Sequence, residues 1–212
     1  MNETLSIAQC QNWLFIFSNT IIQISNDLDT LDAATGDGEH GSNLSTGSRA
    51  ILKYLASAPA KTLGKFFEDI GMTIVNNVGG ASGALYGTLF LRLGELSGNV
   101  AEVDLQTIST ALSYARDGIV ELGRVKTGDK TLLDALDPAV ETLLESASSG
   151  AGLHTAISNA RIAADLGRER TASLVARKGR GSYQGERSIG HIDPGATSMA
   201  KLFESLEMAL QP

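Results

Sequence analysis

The chain has 212 residues, of which 42% are hydrophobic and 19% are charged, and its net charge is −7 with a pI near 4.9. This length suits one domain with a sizeable core, and we expect residues 1–212 to form a single domain. The acidic balance excludes non-specific binding to nucleic acid or to acidic membranes. The lone Cys10 cannot form an internal disulfide, and the apolar stretch 13–17 is too short to span a membrane. We therefore expect a cytoplasmic protein.

Helical periodicity dominates the sequence. Ser6 and Gln9 have the spacing of a capping box, and apolar residues then recur at helix spacing from Ile7 to Ile24. Seven further helices are predicted, at 43–57, from 62, after 78–83, from 104 to 122, at 131–146, at 153–175 and through 199–210. Pro138 fits best in or near the first turns of its helix. No strand with period-two alternation is predicted, and the eight amphipathic helices indicate an all-α, antiparallel, up-and-down arrangement.

Four polar, glycine-rich segments separate these helices, at residues 32–41, 78–83, 123–130 and 177–195. They follow the first, third, fifth and seventh helices. Because alternate connections of an up-and-down bundle lie at the same end, we expect all four segments around one mouth. The last segment is long for a compact helical domain, and loops of that length are usually functional.

The first segment carries three carboxylates, Asp32, Asp37 and Glu39, among glycines that permit tight turns. Such carboxylates can converge on a hard cation, and Mg²⁺ prefers few carboxylates together with waters and substrate phosphates. The spacing is not that of an EF-hand. A solvated acidic loop that caps the next helix explains the spacing equally well, and His40 beside it could contact a nucleotide or cap that helix.

Two other segments have the chemistry of an anion site. The run 79–83 begins a helix, where exposed amides and the helix dipole attract phosphate, although close helix packing through small residues is the alternative. It is not a Walker A loop, because no Gly-Lys-Ser/Thr follows. The last segment holds a local cationic cluster, and guanidinium groups can hold phosphate oxygens through paired donors. The cluster consists of Arg177, Lys178, Arg180 and Arg187.

Taken together, these segments resemble the L subunit, or L domain, of dihydroxyacetone kinases over nearly the full chain. The matching motifs occur in the family's order, at 36–43, 78–87, 128–131, 176–180 and 185–198. The resemblance implies an eight-helix antiparallel barrel with a nucleotide bound at one end. It also implies a phosphotransferase that is active only with a partner subunit.

The resemblance assigns roles to individual residues. It implies that Asp32, Asp37 and Glu39 hold two Mg²⁺ ions against the phosphates of ADP or ATP, with Glu39 where the family usually has Asp. Arg180 is the candidate catalytic residue, because a guanidinium can stabilise charge on the transferring phosphoryl group. The nucleotide contacts carried over from the family are His40, Gly41, Ser42, Asn43, Ala81, Ser82, Gly123, Leu132, Arg180, Asp193, Pro194 and Gly195.

The resemblance also implies partners. The ketose would sit on a K subunit, as a hemiaminal on a histidine of that partner. In one branch of the family ATP exchanges as a substrate; in the other ADP stays bound and is rephosphorylated by a phosphotransferase-system subunit, M. Segments 40–43 and 188–191 resemble the second branch and 133–139 the first, and we favour the second. A homodimer stays open.

Three alternatives accompany this interpretation. The subunit could serve an ATP-dependent kinase for dihydroxyacetone or another short ketose such as a tetrulose, because this subunit would not contact the ketose. It could be a nucleotide-charged regulatory module that docks on another protein through the same end. It could also be a carrier that encloses an apolar ligand within a helical barrel. Bound Mg-ADP after purification would argue against the carrier.

Overall fold

The computed structural model describes residues 3–57 and 59–211, and within them the chain forms nine α-helices. They are α1 (Ile7–Gln23), α2 (Ser25–Ala33), α3 (His40–Leu55), α4 (Leu63–Asn77), α5 (Gly80–Ser97), α6 (Leu105–Gly123), α7 (Leu133–Ser148), α8 (Leu153–Arg170) and α9 (Pro194–Ala209). The 3-10 helix Thr171–Ser173 and a 3-10 segment, Arg180–Ser188, that is interrupted at Gly185 lie between α8 and α9. The all-α prediction is confirmed.

The helices close into a ring. From α3 to α9 each helix packs on the next, α9 packs on α1, and α1 packs on α3. Only Ile24, with φ −96° and ψ 12°, separates α1 from α2, so the two act as one kinked helix. The predicted eight-helix barrel is therefore confirmed, with α1 and α2 together as its first helix. The prediction that Asp32 lies in a connection was wrong, because α2 continues through Asp32 to Ala33.

Several helix boundaries follow directly from capping residues. The predicted capping box is confirmed: the Ser6 amide donates to Gln9 Oε1 at 2.9 Å, and the Gln9 amide donates to Ser6 Oγ at 3.3 Å. Asp104 caps α6 as predicted, since its Oδ1 accepts from the Thr107 amide at 2.9 Å. Helix α9 begins at Pro194, earlier than the apolar pattern indicated, because proline at the first helical position is preorganised for the helix.

Other boundaries differ from the prediction. Helix α8 ends at Arg170 rather than near Val175, and a 3-10 turn follows it.

Pro138 lies in the second turn of α7 and has no N–H to donate to the carbonyl of Asp134. That carbonyl lies against Gly167 of α8, where a Cβ would collide with it. Small residues therefore allow α7 and α8 to approach closely at this level.

Aromatic side chains fill the interior of the barrel. Trp13, Phe67 and Phe90 pack within 6.1–6.2 Å of one another, measured between ring centroids, and all three are buried. The indole N–H of Trp13 donates to the carbonyl of Leu202 in α9 at 2.8 Å. This arrangement satisfies the one polar group of an otherwise apolar cluster, as buried tryptophan requires.

Two short strands were not predicted from the sequence. The strands β1 (Thr4–Ser6) and β2 (Glu102–Asp104) pair antiparallel, with Leu5 opposite Val103. Each has three residues, too few to produce a recognisable alternation. They precede α1 and α6 and join the ends of those helices that lie away from the mouth. No helix within residues 3–57 and 59–211 has the length and apolar character needed to cross a bilayer.

Candidate functional site

Three helices begin at one place on the barrel. His40, the first residue of α3, has its Nδ1 3.1 Å from Ser82 Oγ in the first turn of α5. Its Nε2 lies 2.9 Å from Ser198 Oγ in α9. Close by, a Cβ on Gly195 would lie 3.3 Å from the amide nitrogen of Leu132, which precedes α7. Helix N-termini carry unsatisfied N–H groups and a partial positive charge, so this mouth is suited to an anion.

His40 is held by a closed hydrogen-bond network. Ser198 Oγ donates to the carbonyl of Gly195 at 3.0 Å and lies 2.8 Å from the hydroxyl of Tyr86. Because the Ser198 hydroxyl donates its proton to the Gly195 carbonyl, Ser198 Oγ accepts from His40 Nε2–H. His40 Nδ1 then carries no proton and accepts from the Ser82 hydroxyl. Desolvation lowers the pKa of His40 to about 4, against the opposing charge of Asp29. His40 is therefore neutral at pH 7 and orients Ser82.

The acidic turn joins α2 to α3 and brings two carboxylates together. Asp32 Oδ2 accepts from the Glu39 amide at 3.0 Å, and a Cβ at Gly36 would collide with Asp32 Oδ1. Desolvation raises the pKa of Asp32; the neighbouring Asp37 carboxyl raises it further, and the amides of Glu39 and His40 oppose the shift. A site that forces one carboxylate against another is electrostatically suited to a cation.

The donors in this turn fit Mg²⁺ in part. In the described residues no group of three or more His, Cys, Asp or Glu side chains forms a ready-made metal cage. Asp32 and Asp37 lie together, whereas Glu39 reaches Asp32 through its backbone amide. Two adjacent carboxylates match the preference of Mg²⁺ for few protein oxygens, with water and phosphate completing the coordination.

A surface cavity of about 400 Å³ lies between the acidic turn and the segment before α9. Arg180 Nη1 lies 2.5 Å from Asp37 Oδ2, and these side chains are 64% and 27% exposed. Within residues 3–57 and 59–211, the other members of the predicted cationic cluster form no ion pair. Of this cluster, Arg180 is the member that pairs with the acidic turn and lines the cavity. The cavity is lined by Thr35, Gly36, Asp37, Arg180, Tyr183 and Gln184.

Some predicted site residues have a packing role that can be identified. A Cβ on Gly41 would collide with the carbonyl of Ser25, so this glycine allows α3 to pack on α2. The side chain of Asn43 lies against Gly79, where an added Cβ would be 2.7 Å from Asn43 Oδ1. Gly123 ends α6. Packing alone accounts for these small residues, and their nucleotide contacts stay predictions.

Two groups of residues that shape the site were not predicted from the sequence. Asp29 accepts from the amide of Ser42 at 3.0 Å and from its hydroxyl at 2.5 Å, and so holds the first turn of α3. It lies three residues before Asp32 on α2, and the helical spacing would have indicated it had α2 been recognised. Tyr86 and Ser198 lie in the family motifs at 78–87 and 185–198, but nothing in their spacing indicated a contact with His40 or its network.

The fold and the motifs have counterparts in known proteins. The DAK2 domain profile matches residues 34–208. The ADP-binding subunit DhaL of the PEP-dependent dihydroxyacetone kinase of Escherichia coli K12 is 35% identical over 97% of this chain and 98% of its own length. The L-erythrulose 1-kinase of Mycolicibacterium smegmatis is also 35% identical, over 85% of this chain and 32% of its own.

A solved structure agrees with these matches. The dihydroxyacetone kinase of C. freundii in complex with AMP-PNP and Mg²⁺ superposes with a TM-score of 0.73 at 27% identity, over 98% of this chain and 35% of that one. The chain belongs to the dihydroxyacetone kinase family, in the class defined by the DAK2 domain. The predicted resemblance and the phosphotransferase class are thereby confirmed.

Proposed function

We propose that this chain is the nucleotide-binding subunit of a dihydroxyacetone kinase. It holds Mg-ADP or Mg-ATP at the mouth and passes the terminal phosphoryl group to dihydroxyacetone bound on a partner K subunit. The observation that carries the proposal is the meeting of three helix N-termini with the Asp32–Asp37 turn and Arg180. The proposal treats residues 1–212 as one domain. A homodimer stays a prediction.

In this proposal the acidic turn is the metal site. Asp32, Asp37 and Glu39 would hold two Mg²⁺ ions, which when bound neutralise the charge of the phosphates. The chain's own contribution is to bring the carboxylates together. Gly36 makes room for Asp32, and the Glu39 amide fixes its Oδ2 at 3.0 Å. The raised pKa of Asp32 supports a cation here, because a positive charge would favour its ionised form.

The nucleotide would lie against the helix N-termini. The amides at the start of α5, which has no side-chain cap, would donate to its oxygens, and Ser82, oriented by His40, would place its Oγ beside them. The proposed contacts are His40, Gly41, Ser42, Asn43, Ala81, Ser82, Gly123, Leu132, Arg180, Asp193, Pro194 and Gly195. Ser42 would be held in place for this by Asp29.

Arg180 is the residue proposed to act on the transferring group. Phosphoryl transfer depends on positioning and charge neutralisation more than on covalent chemistry from the protein. The Arg180 side chain is 64% exposed and borders the cavity, so it can exchange Asp37 for a phosphoryl oxygen at small cost. His40 is neutral and bonded at both nitrogens, so it is not available as the base for the acceptor hydroxyl, and we propose that the partner supplies that base.

For the source of phosphate we propose the phosphotransferase branch, with ADP as a resident cofactor recharged by an M subunit. Relatives from E. coli and Listeria innocua, 35% identical over 97% and 92% of this chain, are named PEP-dependent. The alternative is an ATP-dependent kinase for dihydroxyacetone or a tetrulose. The relative named L-erythrulose 1-kinase, at the same identity, favours that alternative acceptor.

Native mass spectrometry of the purified protein, followed by reconstitution, tests the proposal. We expect retained ADP with Mg²⁺, and phosphorylation of dihydroxyacetone when K, M and phosphoenolpyruvate are added. Turnover with K and ATP alone would move the chain to the ATP-dependent branch. Nucleotide that stays bound without any turnover would favour the regulatory module. A protein that binds no Mg-ADP would contradict the proposal and reopen the carrier hypothesis.

A further inference from the structure

Lys130 is a buried cation surrounded by backbone carbonyls. The residue is 3% exposed, and its Nζ donates to the carbonyls of Leu174 at 3.2 Å, Ser188 at 2.5 Å and His191 at 2.6 Å. An ammonium group has three donors, and here all three are used. Desolvation lowers the pKa of Lys130, and the carboxylate of Asp193 opposes that shift.

All three carbonyls belong to one loop, residues 171–193, which we call the arginine loop. Two hydrogen bonds join the beginning of the loop to its end. The amide of Gly190 donates to the carbonyl of Ala172 at 2.7 Å, and the amide of Asp193 donates to Thr171 Oγ1 at 2.9 Å. Its other side carries Arg180 beside the cavity. The loop is thus a closed unit whose position decides where Arg180 lies.

The arginine loop has almost no apolar anchor. Its buried residues are Thr171, Ala176 and Ser188, none with a large apolar side chain. A segment with so little buried apolar surface is held by its polar contacts. At its two ends the loop also bonds to the adjoining helices α8 and α9. Its polar contacts with residues distant in sequence are the Arg180–Asp37 ion pair, the bonds from the Lys130 ammonium, and the carbonyl of Asp129, which accepts from the Arg177 amide at 3.0 Å.

The turn that presents Lys130 is itself rigid. Asp134 accepts from the amides of Gly128 at 2.6 Å and Thr131 at 2.7 Å, and Asp129 accepts from the Lys126 amide at 3.0 Å. Lys130 has φ 62°, a left-handed conformation that is unfavourable for a residue other than glycine. The hydrogen bonds of this turn hold Lys130 in its strained conformation, and strain that is maintained in this way suggests that the direction of the Lys130 side chain is functionally important.

We propose that Lys130 is a positioning residue for phosphoryl transfer. It binds neither nucleotide nor ketose. It fixes the arginine loop through three carbonyls, and the loop in turn places Arg180 at the acidic turn. The inference rests on the proposed function, and its tests separate the two.

The first test compares Lys130→Met with Lys126→Met, which removes an exposed lysine from the same turn. In Lys130→Met we expect faster amide hydrogen exchange in residues 174–191, and turnover with K that falls on the order of 10- to 100-fold, the worth of hydrogen bonds to a charged group. Lys126→Met should match the parent in both. Parent-like exchange and turnover in Lys130→Met would overturn the proposal.

Two further measurements distinguish a positioning role from a purely structural one. In an Arg180→Ala background, Lys130→Met should cost little more turnover, because both changes remove the same group from the site. Propylammonium added to Lys130→Ala should restore turnover, since it replaces the missing part of the side chain. Additive losses, or no rescue, would make Lys130 a stability residue only. If the parent binds no Mg-ADP, the proposed function fails and the positioning role fails with it; faster exchange would then mark a structural tie.

Discussion

The interior of the barrel and its mouth are built by different interactions. In the interior, Trp13, Phe67 and Phe90 pack by apolar contact on neighbouring helices. At the mouth, polar groups from distant parts of the sequence form hydrogen bonds with one another. His40, for example, is hydrogen-bonded to Ser198, which lies 158 residues later in the sequence. Burial of apolar area is non-directional, whereas each mouth contact needs a particular atom. Changes at the mouth should therefore remove function and leave the fold intact, while changes in the interior remove both.

The largest expected effect is in the interior. Phe67→Ala should lower the free energy of unfolding by about 3–5 kcal/mol, because it leaves a cavity among buried rings. Phe15→Ala is the matched control: this ring is 53% exposed on α1, and its loss should change stability by less than about 0.5 kcal/mol. Urea titration of both variants gives the comparison. Equal losses would show that the aromatic cluster does not carry the barrel's stability.

Arg180 should show the opposite pattern at the mouth. Arg180→Ala should slow turnover of the reconstituted enzyme by roughly 10²–10³, the cost of losing one charge-stabilising donor. Thermal unfolding should hardly change, because an ion pair this exposed contributes little. Arg180→Lys should also be impaired, since it keeps the charge and loses the paired donors. Arg187→Ala, exposed in the same loop, is the control. Early unfolding or parent-like turnover would make Arg180 a structural tie.

The acidic turn should be sensitive to charge alone. Asp37→Asn preserves shape and removes the negative charge, so nucleotide affinity in Mg²⁺ should fall by roughly 10- to 100-fold, with helical content unchanged. Asp27→Asn on the exposed face of α2 should bind like the parent. Isothermal titration with Mg-ADP and circular dichroism give both quantities. Unchanged ADP retention in Asp37→Asn would count against the metal assignment.

Glu39 tests how far the metal site extends. If its carboxylate is a ligand, Glu39→Asp should preserve Mg-nucleotide binding and Glu39→Ala should weaken it several-fold, a smaller loss than at Asp37 because Glu39 contacts Asp32 through its backbone amide rather than its carboxylate. The same titration measures both. Equal affinities of the Ala and Asp variants would make Glu39 a bystander whose backbone amide, bonded to Asp32, is its only contribution.

The sequence predicted the interior better than the mouth for a physical reason. Apolar periodicity reports burial, and it identified the helices that carry Trp13, Phe67 and Phe90. The caps at Ser6 and Asp104 could also be predicted, because each cap depends only on residues within one turn of the helix. Helix α2 was missed because the predicted apolar pattern ended at Ile24 and α2 buries little beyond Leu28. The strands β1 and β2 were missed because three residues give no alternation.

At the mouth, residue types could be predicted and pairings could not. The glycines, carboxylates and arginines suggested an anion and metal site, and helix parity suggested that their segments meet. Nothing local indicates that Lys130 donates to three carbonyls 44 to 61 residues away, or that Asp29 holds Ser42. Such contacts depend on how the ring of helices closes. The cationic cluster illustrates this: its residue types were predicted, but the sequence did not indicate that Arg180 is the member that pairs with the acidic turn.

The smallest expected effect concerns pH and the start of α9. Desolvation raises the pKa of Asp193 from 3.8 to about 7; Asp134 and Asp32 add to this, and the Ala196 amide and Lys130 oppose it. Because the folded-state pKa is raised, the stability that Asp193 contributes is full below its ordinary pKa and is lost as the pH rises through about 7.

Asp193→Asn isolates this contribution, because asparagine keeps an oxygen for the Ala196 amide, which now donates to Asp193 Oδ2 at 2.7 Å, and carries no charge. We expect the variant to be about 1 kcal/mol more stable than the parent at pH 8, or ~2–4 °C in Tm, and to approach the parent near pH 5. Thermal unfolding at both pH values measures the difference. A variant that is less stable at pH 8 would mean that the charged carboxylate stabilises the mouth, through the α9 dipole and Lys130, by more than its burial costs.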